Sequence, residues 1–374
     1  MPRPTVAEID LAALRYNFNK VKGLAGSGKK ALAIVKANAY GHGAVNVARE
    51  LERCGVDFLG VAICEEAAEL RKAGIRSPVM VMGGVYNGQA EDVFAYHIIP
   101  VLFDIETALS LNAIASHNGL SLKVHIKLDT GMGRIGILPG DLDSFIERLR
   151  TCNNLVVDGL LTHLATADTS QASADDFTVN QINIFRELSA RIRDKGFSPT
   201  YLHLANSAAI IRHLEPCFNI IRPGLMLYGI SPSQQLTIDL QPVMALKTKI
   251  VTLKKVPAGS SISYRRTFIT NRESLIATLP IGYADGYSRQ FSNRAAVLIR
   301  GRRASVAGVV CMDMVMIDVT DVADAQINDG VILLGTQGDE TIDARELAEI
   351  AHSIPYELLC GISSRVPREY VNGI

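Results

Sequence analysis

Lys36 is the residue of this chain with the clearest chemical implication, because it ends an apolar run. Residues 31–35 read Ala-Leu-Ala-Ile-Val, and the stretch 37–43 that follows contains two glycines. A buried ammonium is costly unless it is paired, neutralised or covalently used. The pKa of a lysine falls readily on burial, which suits Schiff-base chemistry. The alternative is a side chain that reaches from a strand end to water.

Further groups that could do chemistry follow other predicted strands. They are Lys127, Asp129, Arg134, His163, Ser207 and Arg222. Each alone could be a helix cap or a solvated group. In a parallel barrel, however, the carboxyl ends of the strands meet at one rim, where active sites lie. The set therefore predicts a single site.

Two glycine-containing stretches in this set could bind phosphate. Residues 131–136 match G-x-G-x-x-G, but Pro-Gly at 139–140 interrupts the approach to a helix, and no ribose-binding acid is evident. A dinucleotide loop runs directly into its helix, so an NAD site is disfavoured. Residues 222–224, Arg-Pro-Gly, could let backbone N–H groups approach a phosphate after the eighth strand. A plain tight turn fits this stretch equally well.

A Schiff-base lysine, a phosphate site and the lack of a nucleotide motif together indicate pyridoxal 5'-phosphate. This cofactor needs a lysine, a phosphate cradle and a partner for its ring nitrogen. The six cysteines contain no Cys-x-x-Cys pair. That pattern disfavours a metal site and predicts free thiols in a reducing compartment.

The elements that must position these groups alternate between strand and helix. Apolar runs typical of buried strands are 31–36, 58–62, 78–82, 98–103, 122–128, 156–163, 201–205 and 220–222. Helical periodicity lies between them, and a first helix is predicted over 9–25. About eight such units favour an α/β fold with an N-terminal (β/α)8 TIM-type barrel. An open doubly wound sheet is the alternative.

Beyond residue 232 the pattern changes to short β-branched runs separated by turns. This is typical of an all-β region, so we predict a mostly-β C-terminal domain. The expected domains are residues 1–235, the cofactor-binding barrel, and 236–374, the β domain.

Composition excludes several classes of protein. The 374 residues are 48% hydrophobic and 20% charged, and 38 basic side chains balance 38 acidic ones. The charge balance gives no case for nucleic acid or an anionic membrane. The first residues lack the apolar core of a signal peptide, and no run reaches the roughly 18 residues of a membrane helix. We expect a cytoplasmic enzyme.

Six motifs in this order resemble those of the alanine racemases, pyridoxal-phosphate enzymes of fold type III. They are residues 35–43 (VKANAYGHG), 129–134 (DTGMGR), 203–207 (HLANS), 222–229 (RPGLMLYG), 282–286 (GYADG) and 311–313 (CMD). The resemblance covers essentially the whole chain. It implies interconversion of L- and D-alanine, with D-alanine supplied for peptidoglycan.

The resemblance also implies catalytic roles. Lys36 would hold the cofactor and act as the base for D-alanine, and Tyr264 would be the opposite base, for L-alanine. In the family this tyrosine comes from the partner subunit, so a homodimer is expected. Arg222 would face the pyridine nitrogen, and His163 would link Tyr264 to Arg222. Because a guanidinium does not give up its proton, the ring nitrogen would stay unprotonated and the cofactor would be a weaker electron sink.

Binding roles follow from the same resemblance. The cofactor phosphate would be held by Tyr40, Ser207, Tyr356 and the backbone of Gly224 and Leu225. Arg134 and the partner subunit's Met312 would bind the substrate carboxylate. In some relatives the lysine at the position of Lys127 carries a carbamate. One departure is Arg265, where the family commonly has glycine after the catalytic tyrosine.

Three other functions remain open at this point. An amino-acid decarboxylase of the same architecture would generally place an acid, not Arg222, at the ring nitrogen. A broader racemase would accept serine or other small amino acids. A non-catalytic pyridoxal-phosphate protein would need neither Tyr264 nor the β domain.

Overall fold

The computed structural model describes residues 3–169, 171–214, 218–236 and 238–373, which form two units. One unit comprises residues 14–39 and 44–241. The other contains the residues up to 13, residues 40–43 and the residues from 242 onward. The first strand, β1 (Val6–Asp10), belongs to the second of these units. Cys217 lies outside the described residues, and the five described cysteines are free thiols.

Within the described residues of the first unit, eight parallel strands form one sheet in the order β8-β7-β6-β5-β4-β3-β2-β9. The strands are β2 (Lys30–Ile34), β3 (Phe58–Val61), β4 (Val79–Val81), β5 (Ile98–Leu102), β6 (Leu122–Lys127), β7 (Leu155–Leu161), β8 (Tyr201–His203) and β9 (Ile220–Ile221). A bridge from Ala205 to Ile221 joins the two ends, and the Arg222 N–H donates to the Ala205 carbonyl at 2.8 Å. The sheet is therefore closed, which confirms the predicted barrel and excludes the open doubly wound sheet.

Helices follow the barrel strands along the chain. They are Ala44–Arg53, Cys64–Lys72, Ala90–Ala95, Ile105–His117, Leu142–Leu149, Ala172–Asp194 and Ser207–Ile211. Two of them, Ala90–Ala95 and Ser207–Ile211, are too short to show a helical period in the sequence. None of the helices in the described part of the chain is long and apolar enough to cross a membrane.

The predicted helix at 9–25 was wrong at its start. The helix spans Leu11–Ala25, and the preceding residues form β1. Asp10 sets the boundary, because its Oδ1 accepts the N–H groups of Ala12 and Ala13 at 2.8 and 3.1 Å. An aspartate in this position caps a helix and leaves its own backbone extended.

The second unit is mostly β, as predicted. Its described strands after β1 are β10 (Met244–Lys249), β11 (Thr252–Val256), β12 (Ser261–Ile262), β13 (Phe268–Ile269), β14 (Ser274–Leu279), β15 (Ala296–Ile299), β16 (Arg302–Val306), β17 (Val315–Asp318), β18 (Gly330–Gln337), β19 (Glu340–Ile342) and β20 (Arg368–Val371). The main sheet has the order β11-β14-β17-β16-β15-β18-β10-β1-β20, with β19 paired to β18. Helices Ala344–Ile350 and Pro355–Gly361 complete the unit.

Lys36 begins a left-handed turn. Ala37, Asn38, Ala39 and Tyr40 all have φ between 51° and 54°, which costs about 1–2 kcal/mol per residue. Hydrogen bonds oppose this cost. The Ala39 N–H donates to the Val35 carbonyl at 2.8 Å, and the Ala37 N–H donates to Glu66 Oε1 at 2.6 Å.

Tyr264 lies in a second strained segment. Ser263, Arg265 and Arg266 have φ of 65°, 60° and 52°. Gly308 leaves the space for this backbone, because a Cβ on it would lie 2.6 Å from the Ile262 carbonyl oxygen. Positive φ at 265 explains why a glycine suits this position, and Arg265 adopts it at a steric cost.

Arg265→Gly should therefore stabilise the protein. Glycine adopts positive φ without a Cβ penalty, so the free energy of unfolding should rise by up to about 1 kcal/mol. Thermal and urea unfolding of the variant and the parent measure this difference. Arg302→Gly is the matched control, since Arg302 is exposed, lies in β16 and has no positive φ. It should lose stability, and a loss in both variants would contradict the strain at Arg265.

Candidate active site

The barrel unit places most of the predicted site residues just past its strand ends. Lys127 is the last residue of β6, and Arg222 directly follows β9. Lys36 and His163 each lie two residues beyond their strands, β2 and β7. Lys127 and Arg222 are buried, while Lys36 and His163 are partly buried. This is the rim at which barrel enzymes build their active sites.

Arg222 is the centre of the hydrogen bonds at this rim, and its side chain is nearly inaccessible, at 3% exposed. Its Nη2 donates to the carbonyls of Thr162 and Leu204 at 2.7 and 3.0 Å. Nη2 also lies 3.3 Å from Nδ1 of His163, and Nη1 lies 3.4 Å from Nδ1 of His203. Burial lowers the pKa of Arg222 to about 9, so it is a cation at pH 7.

His163 is a neutral acceptor beside this cation. Burial, followed by the positive charges of Arg222 and Lys127, lowers its pKa to about 3. A guanidinium can only donate, so a proton on Nδ1 of His163 would face a second donor. The single proton of the neutral ring is therefore on Nε2. His163 therefore presents an N–H donor on the side away from Arg222.

Lys127 is the second unusual group. Burial, followed by the positive charges of Arg222 and Arg134, lowers its pKa to about 7, and Asp129 only partly offsets these effects. The Asp129 carboxylate is bound to the loop that follows it, because its Oδ1 accepts the N–H groups of Gly131 and Gly133 at 2.9 and 3.1 Å. The rim thus carries a surplus of positive charge.

The Asp129 contacts also explain the G-x-G-x-x-G match. Gly131, Gly133 and Gly136 have φ of 132°, 66° and 139°, and a Cβ on Gly136 would lie 2.6 Å from the Asp129 nitrogen. The glycines fold a tight loop around the Asp129 carboxylate. The next helix starts only at Leu142, so this loop lacks the geometry of a dinucleotide site.

Ser207 and Gly224, both predicted to bind phosphate, lie in contact. The Gly224 N–H donates to Oγ of Ser207 at 3.1 Å, and a 3₁₀ turn, Leu225–Tyr228, follows directly. The hydroxyl of Tyr228 donates to the Ile34 carbonyl at 2.8 Å. This bond ties the 222–229 segment to β2, the strand that leads to Lys36.

The second unit holds the remaining predicted residues. Tyr40 and Tyr356 lie with their ring centroids 5.7 Å apart, and burial raises the pKa of Tyr40 above its usual value. Tyr264 is 65% exposed and Met312 is 53% exposed. Within their unit, neither side chain is covered.

The Met312 loop is braced by the 282–286 motif. The N–H groups of Tyr283 and Ala284 donate to the carbonyls of Cys311 and Met312, each at 3.0 Å. Buried Asp285 holds the motif, because it accepts the Gly282 N–H at 3.0 Å and pairs with Arg3. The structure therefore gives these two sequence motifs one shared role.

Sequence reasoning missed three polar residues of the barrel unit. His203 was quoted only as part of a motif, yet it accepts from Arg222. His125 lies 2.9 Å from His203, and a lone histidine in an apolar strand gives no signal of this. Glu66 binds the N–H groups of Ala37 and Ala62 at 2.6 and 2.7 Å, whereas its sequence context reads as an ordinary first helical turn.

The barrel unit fits a cofactor that carries a phosphate and a ring nitrogen. No described residue accepts from Nε–H of buried Arg222, so this donor is available to a ring nitrogen. The positive charges of Lys36, Arg134 and Arg222 add to burial in lowering the pKa of Lys127. Such a group of cations favours a bound anion. Lys36 supplies an amine at the same rim.

Comparison with known proteins identifies the family. Residues 9–232 match the model of the alanine racemase N-terminal domain, and residues 243–370 match the C-terminal domain. The alanine racemase of Halothermothrix orenii is 48% identical over 374 residues, covering 100% of this chain and 98% of that protein. That of Geobacter sulfurreducens is 45% identical, covering 99% and 98%.

Solved structures show the same likeness. An alanine racemase of Clostridium difficile superposes with a TM-score of 0.92 at 38% identity, covering 99% of this chain and 96% of the other. The enzyme of Bacillus anthracis with bound L-Ala-P superposes with a TM-score of 0.91 at 38% identity, covering 100% and 97%. The chain therefore belongs to the alanine racemase family.

Proposed function

We propose that this protein interconverts L- and D-alanine with pyridoxal 5'-phosphate, using Lys36 and Tyr264 as the two bases. The observation that carries this proposal is the buried Arg222, which has neutral acceptors on one side and a donor available to a ring nitrogen. A decarboxylase would place an acid there. When bound, the cofactor supplies the electron sink that makes the Cα proton of the amino acid removable.

Lys36 and Tyr264 would work on opposite faces of the substrate. Racemisation removes the Cα proton on one face and returns it on the other, so one base is needed on each side. An amine such as that of Lys36 serves one face. A phenol has an ordinary pKa of about 10, so Tyr264 needs a donor or a cation beside its oxygen. In the proposed dimer, Nε2–H of His163, beside Arg222, would be that donor.

Arg222 would control which reaction follows proton removal. Its guanidinium keeps its proton, so it would hold the ring nitrogen by a hydrogen bond without protonating it. Bound in this way, the cofactor would supply a weaker electron sink, which would favour racemisation over transamination. The carbonyls of Thr162 and Leu204 hold the guanidinium in place.

The remaining predicted residues would bind the two anionic groups. Ser207, Tyr40, Tyr356 and the backbone of Gly224 and Leu225 would hold the cofactor phosphate. Arg134 and Met312 would bind the substrate carboxylate.

We further propose that the active protein is a homodimer in which Tyr264 and Met312 serve the partner's barrel. The exposure of both side chains, at 65% and 53%, supports this role, because a base must be shielded from bulk water in the working enzyme. The side chains of Met314 and Tyr283 are exposed as well, and the backbone of both residues bonds to Cys311, beside Met312.

The product D-alanine would supply peptidoglycan synthesis in the cytoplasm. Expression in a bacterium that requires D-alanine should then restore growth without the supplement. Failure of an expressed, soluble protein to do so would count against this role.

The racemase proposal is tested by proton exchange. In D2O with pyridoxal 5'-phosphate, the protein should convert L-alanine into racemic alanine that is deuterated at Cα. Lys36→Ala should abolish the reaction. Tyr264→Phe should lower it by at least about a hundredfold, the lower end for loss of a general base. Bound cofactor without exchange at Cα would overturn the proposal, in favour of a non-catalytic protein or of an enzyme that acts on another amino acid.

The shared site is tested by mixing two inactive chains. One chain carries Lys36→Ala and the other Tyr264→Phe. Of the two sites in a mixed dimer, one has both bases, so a mixture that exchanges subunits should regain about a quarter of the parental activity at random assortment. Each variant mixed with itself is the control. No recovery despite proven subunit exchange would show that each site is built within one chain.

Lys127 is proposed to carry a carbamate. Its amine is substantially neutral at pH 7, because its pKa is about 7, and only a neutral amine attacks CO2. The resulting anion would offset the positive charge of Arg134 and Arg222. With 13C-labelled bicarbonate, the protein at pH 8 should show a carbamate resonance that Lys127→Ala removes. Lys123→Ala, on an exposed lysine of the same strand, should retain it, and a spectrum without the resonance would contradict the proposal.

A further inference from the structure

His125 is a buried polar residue of β6 for which the proposed mechanism has no use. Its side chain is inaccessible to solvent, and its ring stacks on Tyr201 with centroids 6.0 Å apart. Gly159 in β7 makes the room, because a Cβ there would lie 2.2 Å from Nδ1 of His125. The β6–β7 register also shifts between Val124 and His125. The barrel is thus adapted locally to hold this imidazole.

The ring extends the hydrogen-bonded chain that begins at Arg222. Nη1 of Arg222 lies 3.4 Å from Nδ1 of His203, and Nε2 of His203 lies 2.9 Å from Nδ1 of His125. At the far end, Nε2 of His125 has no hydrogen-bond partner among the described residues. The chain is therefore Arg222, His203, His125, running inward from the rim.

One set of hydrogen-bond directions is consistent with these contacts. A guanidinium has no acceptor, so Nδ1 of His203 is unprotonated as long as Nη1 of Arg222 is held beside it. Both histidines are neutral at pH 7, since burial lowers the pKa of His125 to about 4 and that of His203 well below its usual range. The single proton of His203 is then on Nε2 and is donated to His125, whose own proton is on Nε2.

We propose that His125 is a positioning residue that selects the tautomer of His203 and thereby holds the guanidinium of Arg222. Without an acceptor at Nδ1 of His125, His203 loses the partner that keeps its proton on Nε2. A proton on Nδ1 of His203 would face Nη1–H of Arg222, two donors in contact. The guanidinium would then turn away, and with it the donor assigned to the ring nitrogen. This role in the reaction rests on the proposed function.

Nuclear magnetic resonance reads the tautomers without any turnover. In protein labelled with 15N-histidine and saturated with pyridoxal 5'-phosphate, long-range 1H–15N correlations report which ring nitrogen of His203 carries the proton. A His203→Asn variant assigns the signals. A proton on Nε2 of His203 is expected. A proton on Nδ1 would overturn the proposal, and either result holds whether or not the protein racemises alanine.

Two variants of His125 then separate positioning from packing. His125→Leu removes the acceptor, and His125→Asn returns an amide oxygen near the place of Nδ1. We expect kcat to fall by about tenfold in the leucine variant with KM within about twofold, as for one lost buried hydrogen bond that acts on the transition state. The asparagine variant should recover to within about threefold of the parent.

The control is His117→Leu, the same exchange at an exposed helix end, and it should match the parent. Equal losses in the leucine and asparagine variants would overturn the proposal in favour of packing. So would a leucine variant with unchanged kcat and an unchanged His203 tautomer. A parent that binds the cofactor without racemising alanine would instead refute the proposed function. The His203 tautomer, compared between the parent and His125→Leu, would still show whether His125 selects it.

Discussion

The burial of Arg222 as a cation is the constraint on which the rest of the site depends. Its partners among the described residues are neutral, two carbonyls and two imidazoles. A buried charge is tolerated only when its hydrogen bonds are satisfied. These four groups lie at its two terminal nitrogens, and Nε–H is left for a ligand. They leave its charge uncompensated, however. Burial, and then this charge, lower the pKa of His163 and of Lys127.

The uncompensated charge gives the barrel rim its chemical preference. Carboxylate, phosphate and carbamate groups are all anions that would lower the electrostatic energy of Lys127, Arg134 and Arg222. An amino-acid substrate has a carboxylate, and a phosphorylated cofactor has a phosphate. The positive charge of the rim and the negative charge of the proposed ligands are therefore complementary.

Two strained backbone segments carry the proposed bases. Lys36 precedes a left-handed turn, and Tyr264 lies between residues with positive φ. Strain of this kind persists only where the surrounding structure enforces it. Glu66 binds the first turn through the Ala37 N–H, and Gly308 leaves space for the second. The carboxylate of Glu66 thus contributes to the placement of Lys36 without belonging to the chemistry.

Much of the barrel could be predicted from sequence because most of its strands are short apolar runs, and polar residues end or closely follow several of them. The pairing of β1 with β10 and β20 could not, since its partners lie more than 230 residues away and no local pattern indicates them. Tyr264 and Met312 were identified only by resemblance, because an exposed tyrosine and methionine have no distinctive spacing. The role of His125 could not be predicted, because it depends on contacts with Gly159 and His203 that form only in the folded barrel.

The proposed role of Arg222 depends on the protonation of the cofactor's ring nitrogen that it would face. The direct measurement is the 15N chemical shift of pyridoxal 5'-phosphate labelled at that nitrogen and bound to the protein at pH 7. A shift typical of an unprotonated pyridine that accepts a hydrogen bond is predicted, because the guanidinium donates but keeps its proton. The shift of a pyridinium would contradict the assignment of Arg222 as the group that weakens the electron sink.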